Sequence, residues 1–365
     1  MPRATGDGGP APPYNPLVAP KDPLIGTTVA SRYDVRDLAH DEALGRVYRA
    51  FDTQEQRLVH LKVLAHEYVD DTNKFERFGR EITATFMVNH PNTIEVLDFG
   101  EDDGRLFLVL EFLVGHELSR DLMRGPIEPL RVAAMASQVA AAIGAAHQEG
   151  IFHRNLCPDN VFLLDNAVEG DAVKVRDFGL SKLESAEATE GGLTTANTRL
   201  GVAAYTAPEY MATGKFHLKG DLYALGAIMW HMLVGRPPFE GAIDQVLNAV
   251  MTTTPDPPSQ HVEGVPDWLD ELVVDLLSRD PADRPGAYKV QQRLEKGVGE
   301  PLAMPRLLAL DEEGAPIPDP EPAPPPSRGW IAVAVPVLVG LVGLVGLGVV
   351  VTGVALSILL LRVAG

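Results

Sequence analysis

The apolar patterning of this chain changes character once, near Gly115, and that change restricts the fold more than any other feature. Before it, short apolar runs read as strands: Tyr33–Leu38, Arg46–Phe51, Arg57–Leu64, Thr93–Phe99 and Leu106–Phe112. One helical pattern interrupts them, Thr72–Asn89, with Thr72 placed to cap it. After Gly115 the periods are helical: Pro129–Gln148, Leu222–Leu233, Asp244–Met251, Pro266–Ser278 and Ala287–Lys296. A strand-rich part followed by a helix-rich part, without internal repeat, predicts an α+β domain over 32–299.

The flanks differ from it. Met1–Pro23 carries seven prolines and no apolar run, so it is neither a signal nor a transit peptide, and 1–31 is expected to be disordered. Ile331–Leu361 is uncharged, with Trp330 before it and Arg362 after it. A helix of that length exceeds the ~30 Å hydrocarbon core of a bilayer and fits by tilting, or by starting beyond Pro336. A buried core helix rarely runs so far without a charge, so 330–362 is read as a single transmembrane helix with no domain beyond it. Gly340, Gly343, Gly346, Gly348 and Gly353 offer small packing surfaces, but none are four apart, so the GxxxG dimer pattern is absent. The segment 300–329 is proline-rich and acidic. It is a stiff spacer or, alternatively, a ligand for a proline-recognition domain.

With 31 basic and 50 acidic residues the formal charge is −19, which repels nucleic acid and anionic headgroups. The single cysteine, Cys157, excludes an intramolecular disulfide and a zinc-type cluster, and fits a reducing compartment.

Within the domain, chemistry-bearing residues recur in a fixed order. Val59-His60-Leu61-Lys62 is followed by Arg80-Glu81 and His90-Pro91-Asn92. Then come His153-Arg154-Asn155, Pro158-Asp159-Asn160, Asp177-Phe178-Gly179, Ala207-Pro208-Glu209, Gly220-Asp221-Leu222-Tyr223 and Asp283-Arg284-Pro285. Lys62 or Glu81 alone reads as a surface charge. Together, in this order and spacing, the motifs resemble the bacterial serine/threonine protein kinases from Tyr33 to Gly299.

The resemblance implies a two-lobed fold, with an N-lobe over 32–113 and a C-lobe over 114–299. It implies ATP and Mg²⁺ as cofactors and proteins as substrates or partners. Lys62 matches the lysine that holds the α- and β-phosphates, and Glu81 its ion-pair partner. Leu110 takes the gatekeeper place, the backbone near Glu111 and Leu113 faces the adenine, and Gly45 and Val47 belong to the loop over the nucleotide. Asp177 and Asn160 match the metal ligands. Glu209 with Arg284, and Asp221 beneath the catalytic loop, match architectural groups.

The departures from the family pattern gather on the transfer step. Asn155 stands where relatives carry the aspartate that takes the substrate proton; an amide has no basic site near neutral pH. Cys157 replaces a lysine that offsets charge on the γ-phosphate, and Val202 replaces the threonine that bridges the two. The glycine-rich loop aligns on His40-Asp41-Glu42-Ala43-Leu44-Gly45-Arg46-Val47 and keeps only Gly45. His40 adds bulk, Glu42 adds like charge, and His60, on the adenine face, either clashes or stacks. Thr189, Thr194, Thr195 and Thr198 lie in the activation segment. Either Arg154 pairs with a phosphate on that segment, or the segment is an ordinary polar loop.

The expectation is a membrane-anchored, single-pass pseudokinase whose domain faces the cytoplasm, with nucleotide binding left open. The alternatives are a slow serine/threonine kinase and transfer of a different group from ATP.

Overall fold

The computed structural model describes residues 22–42, 44–178, 200–302, 304–311 and 313–317. They belong to a compact unit that ends at Ile317. The expected membrane helix over 330–362 lies outside the described residues, as do the four activation-segment threonines and Gly179.

Six antiparallel strands form the small lobe: β1 (Thr28–Val29), β2 (Tyr33–Asp41), β3 (Gly45–Asp52), β4 (Arg57–Leu64), β5 (Val96–Asp102) and β6 (Arg105–Glu111), in the order β1-β2-β3-β4-β6-β5. The two-residue period of β4 explains its composition. Val59, Leu61 and Val63 pack with Tyr33, Tyr48 and Val109 on one face. Leu64, on the other, packs with Leu108 and with Phe78 and Ile82 of the helix α1 (Thr72–Met87). Lys62 shares the Leu64 face by register and so points at α1. That helix buries Phe78, Glu81, Ile82 and Thr85, a stripe at the i, i+3, i+4, i+7 spacing of one helical face. Glu81 therefore sits in the buried stripe. The cap is Asp71, whose carboxylate accepts from the Lys74 N–H at 3.1 Å; Thr72 is already helical.

The large lobe is built on α3 (Pro129–Gln148), which follows the short α2 (Leu118–Leu122). Among the described residues α3 is the helix long and apolar enough to cross a membrane, yet most of it is buried in the protein core. The later helices are α4 (Leu200–Ala203), α5 (Pro208–Thr213), α6 (Lys219–Val234), α7 (Ile243–Thr252), α8 (Asp267–Leu276) and α9 (Ala287–Val298). Leu222, Leu225, Ile228 and Trp230 of α6 are fully or almost fully buried.

Between the lobes a three-stranded sheet joins β7 (Gly115–Glu117), β8 (Val161–Leu164) and β9 (Ala172–Val175). Its register pairs Val161 with Val175, so the residue before β8 and the residues after β9 emerge side by side. Those are Asn160 and Arg176-Asp177, and the Arg176 N–H donates to the Asn160 carbonyl at 3.0 Å.

Both domain margins extend further than the sequence suggests. Residues 22–31, expected to be disordered, form a turn and β1, with Leu24 and Val29 in the small-lobe core. Asp22 holds Arg46 at 2.8 Å and the Tyr48 hydroxyl at 3.0 Å. Residues 304–311 and 313–317, assigned to the linker, return to the hinge. Met304 and Leu307 pack with Ile94, Leu113, Phe162 and Leu164. The Leu308 N–H donates to the Asn166 carbonyl at 2.9 Å, and the Asn166 amide to the Leu308 carbonyl at 2.7 Å.

Candidate functional site

Lys62 is buried and meets two carboxylates. One is Glu81 from α1; the other is Glu42, from the turn between β2 and β3. Three separate elements thus converge on one ammonium. Burial pulls the Lys62 ammonium down, but Glu81, Glu42 and Asp177 together push it well above its ordinary value, so it stays charged. Burial pushes the Glu42 carboxyl up, yet Lys62 and a hydrogen bond from His40 outweigh this and hold it at about 2. Burial raises Glu81 above the usual carboxylate range despite Lys62, with Glu42 and Asp177 adding to the rise. Its Oε2 is buried without a hydrogen-bond partner among the described residues. A single cation shared by a half-buried and a fully buried carboxylate satisfies Glu42 better than Glu81.

The position of Glu42 follows from a tight hairpin. Its N–H donates to the Gly45 carbonyl at 2.9 Å. Gly45 is required by packing against β4: a Cβ there would lie 2.1 Å from the Val63 carbonyl oxygen. The surviving glycine thus has a use inside the sheet that needs no phosphate.

The cavity between the lobes measures about 70 Å³ and is lined by Val47, His60, Leu110, Leu113, Lys62 and Asp177, with His40, Glu42, Glu81 and Arg176 among the other charged or polar walls. Glu111 lies outside that lining; its carboxylate binds Lys174 at 2.6 Å and its N–H donates to the Glu95 carbonyl. His60 neither blocks the sheet nor floats free. Its ring lies against Phe112, centroids 4.8 Å apart, and burial with the charges of His40 and Arg176 lowers it to about 4, so it is neutral.

The loop carrying Asn155 is braced from below. Asp221 accepts the N–H groups of His153 at 3.0 Å and Arg154 at 2.9 Å, and holds His147 at 2.8 Å. The Asn155 carbonyl accepts from the Asn160 amide at 2.8 Å, which leaves the Asn160 side-chain oxygen as the atom to meet a cation. Asp177 has φ of +62°, a left-handed conformation that aspartate reaches more readily than most residues. Phe178 is fully buried, its ring 4.8 Å from that of His153. Cys157 is buried, and desolvation pushes its thiol up to about 11, so no charge stands there. Val202 lies in α4, where its carbonyl accepts from Tyr205 and Thr206. Arg154 packs over Phe152 and Phe216, at 5.7 Å and 5.9 Å from the ring centres. Arg284 is enclosed and grips Glu209 through two bonds of 2.7 Å and 2.8 Å.

For a nucleotide–metal pair, these residues fit unequally. Asn160 and Asp177 offer two oxygen donors from adjacent strand ends, a partial set of the kind Mg²⁺ completes with water and phosphate. The phosphate end does not fit: Glu42 already holds the cation there.

A two-lobed domain with a lysine–glutamate pair across β4 and α1, and a braced loop beneath them, defines the protein-kinase class. Consistent with this, a family model described as the protein kinase domain matches residues 43–294. The chain is 34% identical over 318 residues to the serine/threonine-protein kinase pkn3 of Myxococcus xanthus, covering 84% of this chain and 58% of that protein. It is 35% identical over 290 residues to PknL of Mycobacterium tuberculosis, covering 78% and 70%. The solved kinase domain of M. tuberculosis PknI aligns with a TM-score of 0.56 at 25% identity, over 74% of this chain and 98% of that one. The chain belongs to the bacterial serine/threonine protein kinase domain family.

Sequence reasoning identified Lys62, Glu81, Asp221, Glu209 and Arg284, and the structure brings each to its expected neighbour. It read Glu42 as a repulsive charge and missed its pairing with Lys62. The signal available was a carboxylate in a hairpin facing the one lysine of β4.

Proposed function

We propose that this chain is a signalling pseudokinase, tethered to the cell membrane by 330–362 with its kinase-like domain in the cytoplasm, where it engages protein partners. The observation that carries this reading is the transfer site itself. The position that resembles the family's base holds Asn155, the nearby position of its cation holds a neutral buried thiol, and the bridging hydroxyl is an aliphatic Val202. A general base alone is worth about 10²–10⁴-fold in rate. ATP and Mg²⁺ are what relatives of this family use in general. Here Asn160 and Asp177 would hold the metal, which would supply charge neutralisation, whereas Lys62 is already engaged by Glu42 and Glu81. The acidic chain offers nothing to a nucleic acid.

A second reading, a slow serine/threonine kinase, draws on one observation: the Lys62–Glu81 pair is formed. Phosphoryl transfer relies mainly on positioning and charge, so such a scaffold retains some capacity for it. Incubation of the full-length chain with Mg²⁺, γ-labelled ATP and generic protein substrates separates the two. The pseudokinase reading predicts labelling no greater than that of Asp177→Ala. Labelling that Asp177→Ala abolishes establishes the slow kinase instead.

A further inference from the structure

We propose that Glu42 is a built-in counter-anion for Lys62, so that the lysine–glutamate pair linking the sheet to α1 is held without any ligand, and an entering polyphosphate must first displace Glu42.

The geometry of the turn supplies the argument. Glu42 hangs from the hairpin between β2 and β3 and, among the described residues, lines this cavity with Glu81 and Asp177 as the carboxylates that act on Lys62. It is anchored twice: the N–H to the Gly45 carbonyl at 2.9 Å and the carboxylate to His40 at 3.1 Å as well as to Lys62. Its side chain is 23% exposed against 3% for Lys62, so Glu42 stands between the ammonium and solvent.

Charge counting leads to the same conclusion. The lining holds two cations, Lys62 and Arg176, against three carboxylates, Glu42, Glu81 and Asp177. Arg176 is engaged with Glu117 at 3.1 Å and the Asp159 carbonyl at 2.9 Å. An incoming triphosphate therefore meets an excess of negative charge and no uncommitted lysine. Removing the Glu42 charge balances the lining and frees Lys62 on its outer side. Glu81 would keep Lys62 in place from the inner side, so α1 need not move.

This inference rests on the reading that the site no longer transfers phosphate, yet it is tested by binding alone, so its failure leaves that reading standing. The full-length chain, in wild-type and Glu42→Gln forms, is titrated with MgATP and, separately, with adenosine, and binding is followed by calorimetry. Glutamine keeps the shape and hydrogen bonding of the turn and removes the charge. The expected result is MgATP binding at least tenfold tighter in Glu42→Gln, with adenosine affinity unchanged to within twofold. Glu42→Gly is the second variant, and it should show the same tenfold gain if the glutamine form folds poorly. Equal MgATP affinity in wild type and variant overturns the proposal, as does a gain that adenosine shares. A wild type that binds MgATP in the micromolar range overturns it equally.

Discussion

Lys62 offers one positive charge to two carboxylates, the buried Glu81 and the half-buried Glu42, and the consequences are measurable residue by residue. Replacing it by methionine leaves the buried Glu81 with no cation partner, so Lys62→Met should lose about 3–5 kcal/mol in urea unfolding. The pH dependence has a definite sign. The Glu42 carboxyl sits at about 2 in the folded chain, below its ordinary 4.5, so the stability it contributes is present above pH 4.5 and is lost as pH falls toward 2. The difference in melting temperature between wild type and Glu42→Gln should therefore narrow across that window. A difference that stays constant from pH 5 to pH 3 contradicts the pairing. Cys157, neutral and buried, should resist alkylation at pH 8 in the folded chain and react only once the chain is unfolded, as mass spectrometry would show.

At the scale of elements, the region beyond Gly299 does more than connect. Met304 and Leu307 lie on the same cluster as Leu113, which lines the cavity, so the segment after the last helix touches the hinge. Leu307→Ala should cost about 1–2 kcal/mol, less than a fully enclosed leucine because the site is only partly buried. A Cβ at Gly45 would meet the β4 backbone, so Gly45→Ala should destabilise the small lobe by about 1–3 kcal/mol.

Much of this architecture was legible in the sequence because its periodicities are strong. Arg57–Leu64 and Pro129–Gln148 come out with the expected ends. The helix α1 begins at Thr72 as expected, but its cap is Asp71, whose carboxylate outcompetes the Thr72 hydroxyl, and it ends at Met87, two residues before Asn89. The strands Gly115–Glu117, Val161–Leu164 and Ala172–Val175 are too short to display a period, and Gly115-His116-Glu117 has no apolar residue at all. Residues 304–317 read as linker because they run into the proline-rich, acidic stretch that begins at Ala315, whereas Met304 and Leu307 reveal themselves only through distant partners. The Lys62–Glu81 pair was readable as a motif; the Glu42 contact was not, because it depends on how the hairpin turns.

For the whole molecule, the architecture and the chemistry have parted. Arg284 and Glu209 are joined across the helical lobe, and Asp221 supports the loop as firmly as hydrogen bonds allow. Arg284→Ala strands the Glu209 carboxylate and should cost about 3–5 kcal/mol in equilibrium unfolding, without altering nucleotide affinity in the protein that remains folded. On the proposed reading the fold survives as a scaffold whose phosphate end is closed by Glu42, with Asn155, Cys157 and Val202 at the positions that resemble the family's transfer site. The measurement that tests this most directly is transfer of label from γ-labelled ATP by two full-length chains side by side: wild type, and a form carrying Asn155→Asp, Cys157→Lys, Val202→Thr and Glu42→Gly together. The account predicts no transfer above the Asp177→Ala background in the wild type and a clear gain, about 10²-fold or more, in the restored chain. A wild type that already transfers phosphate at the restored chain's rate would contradict it.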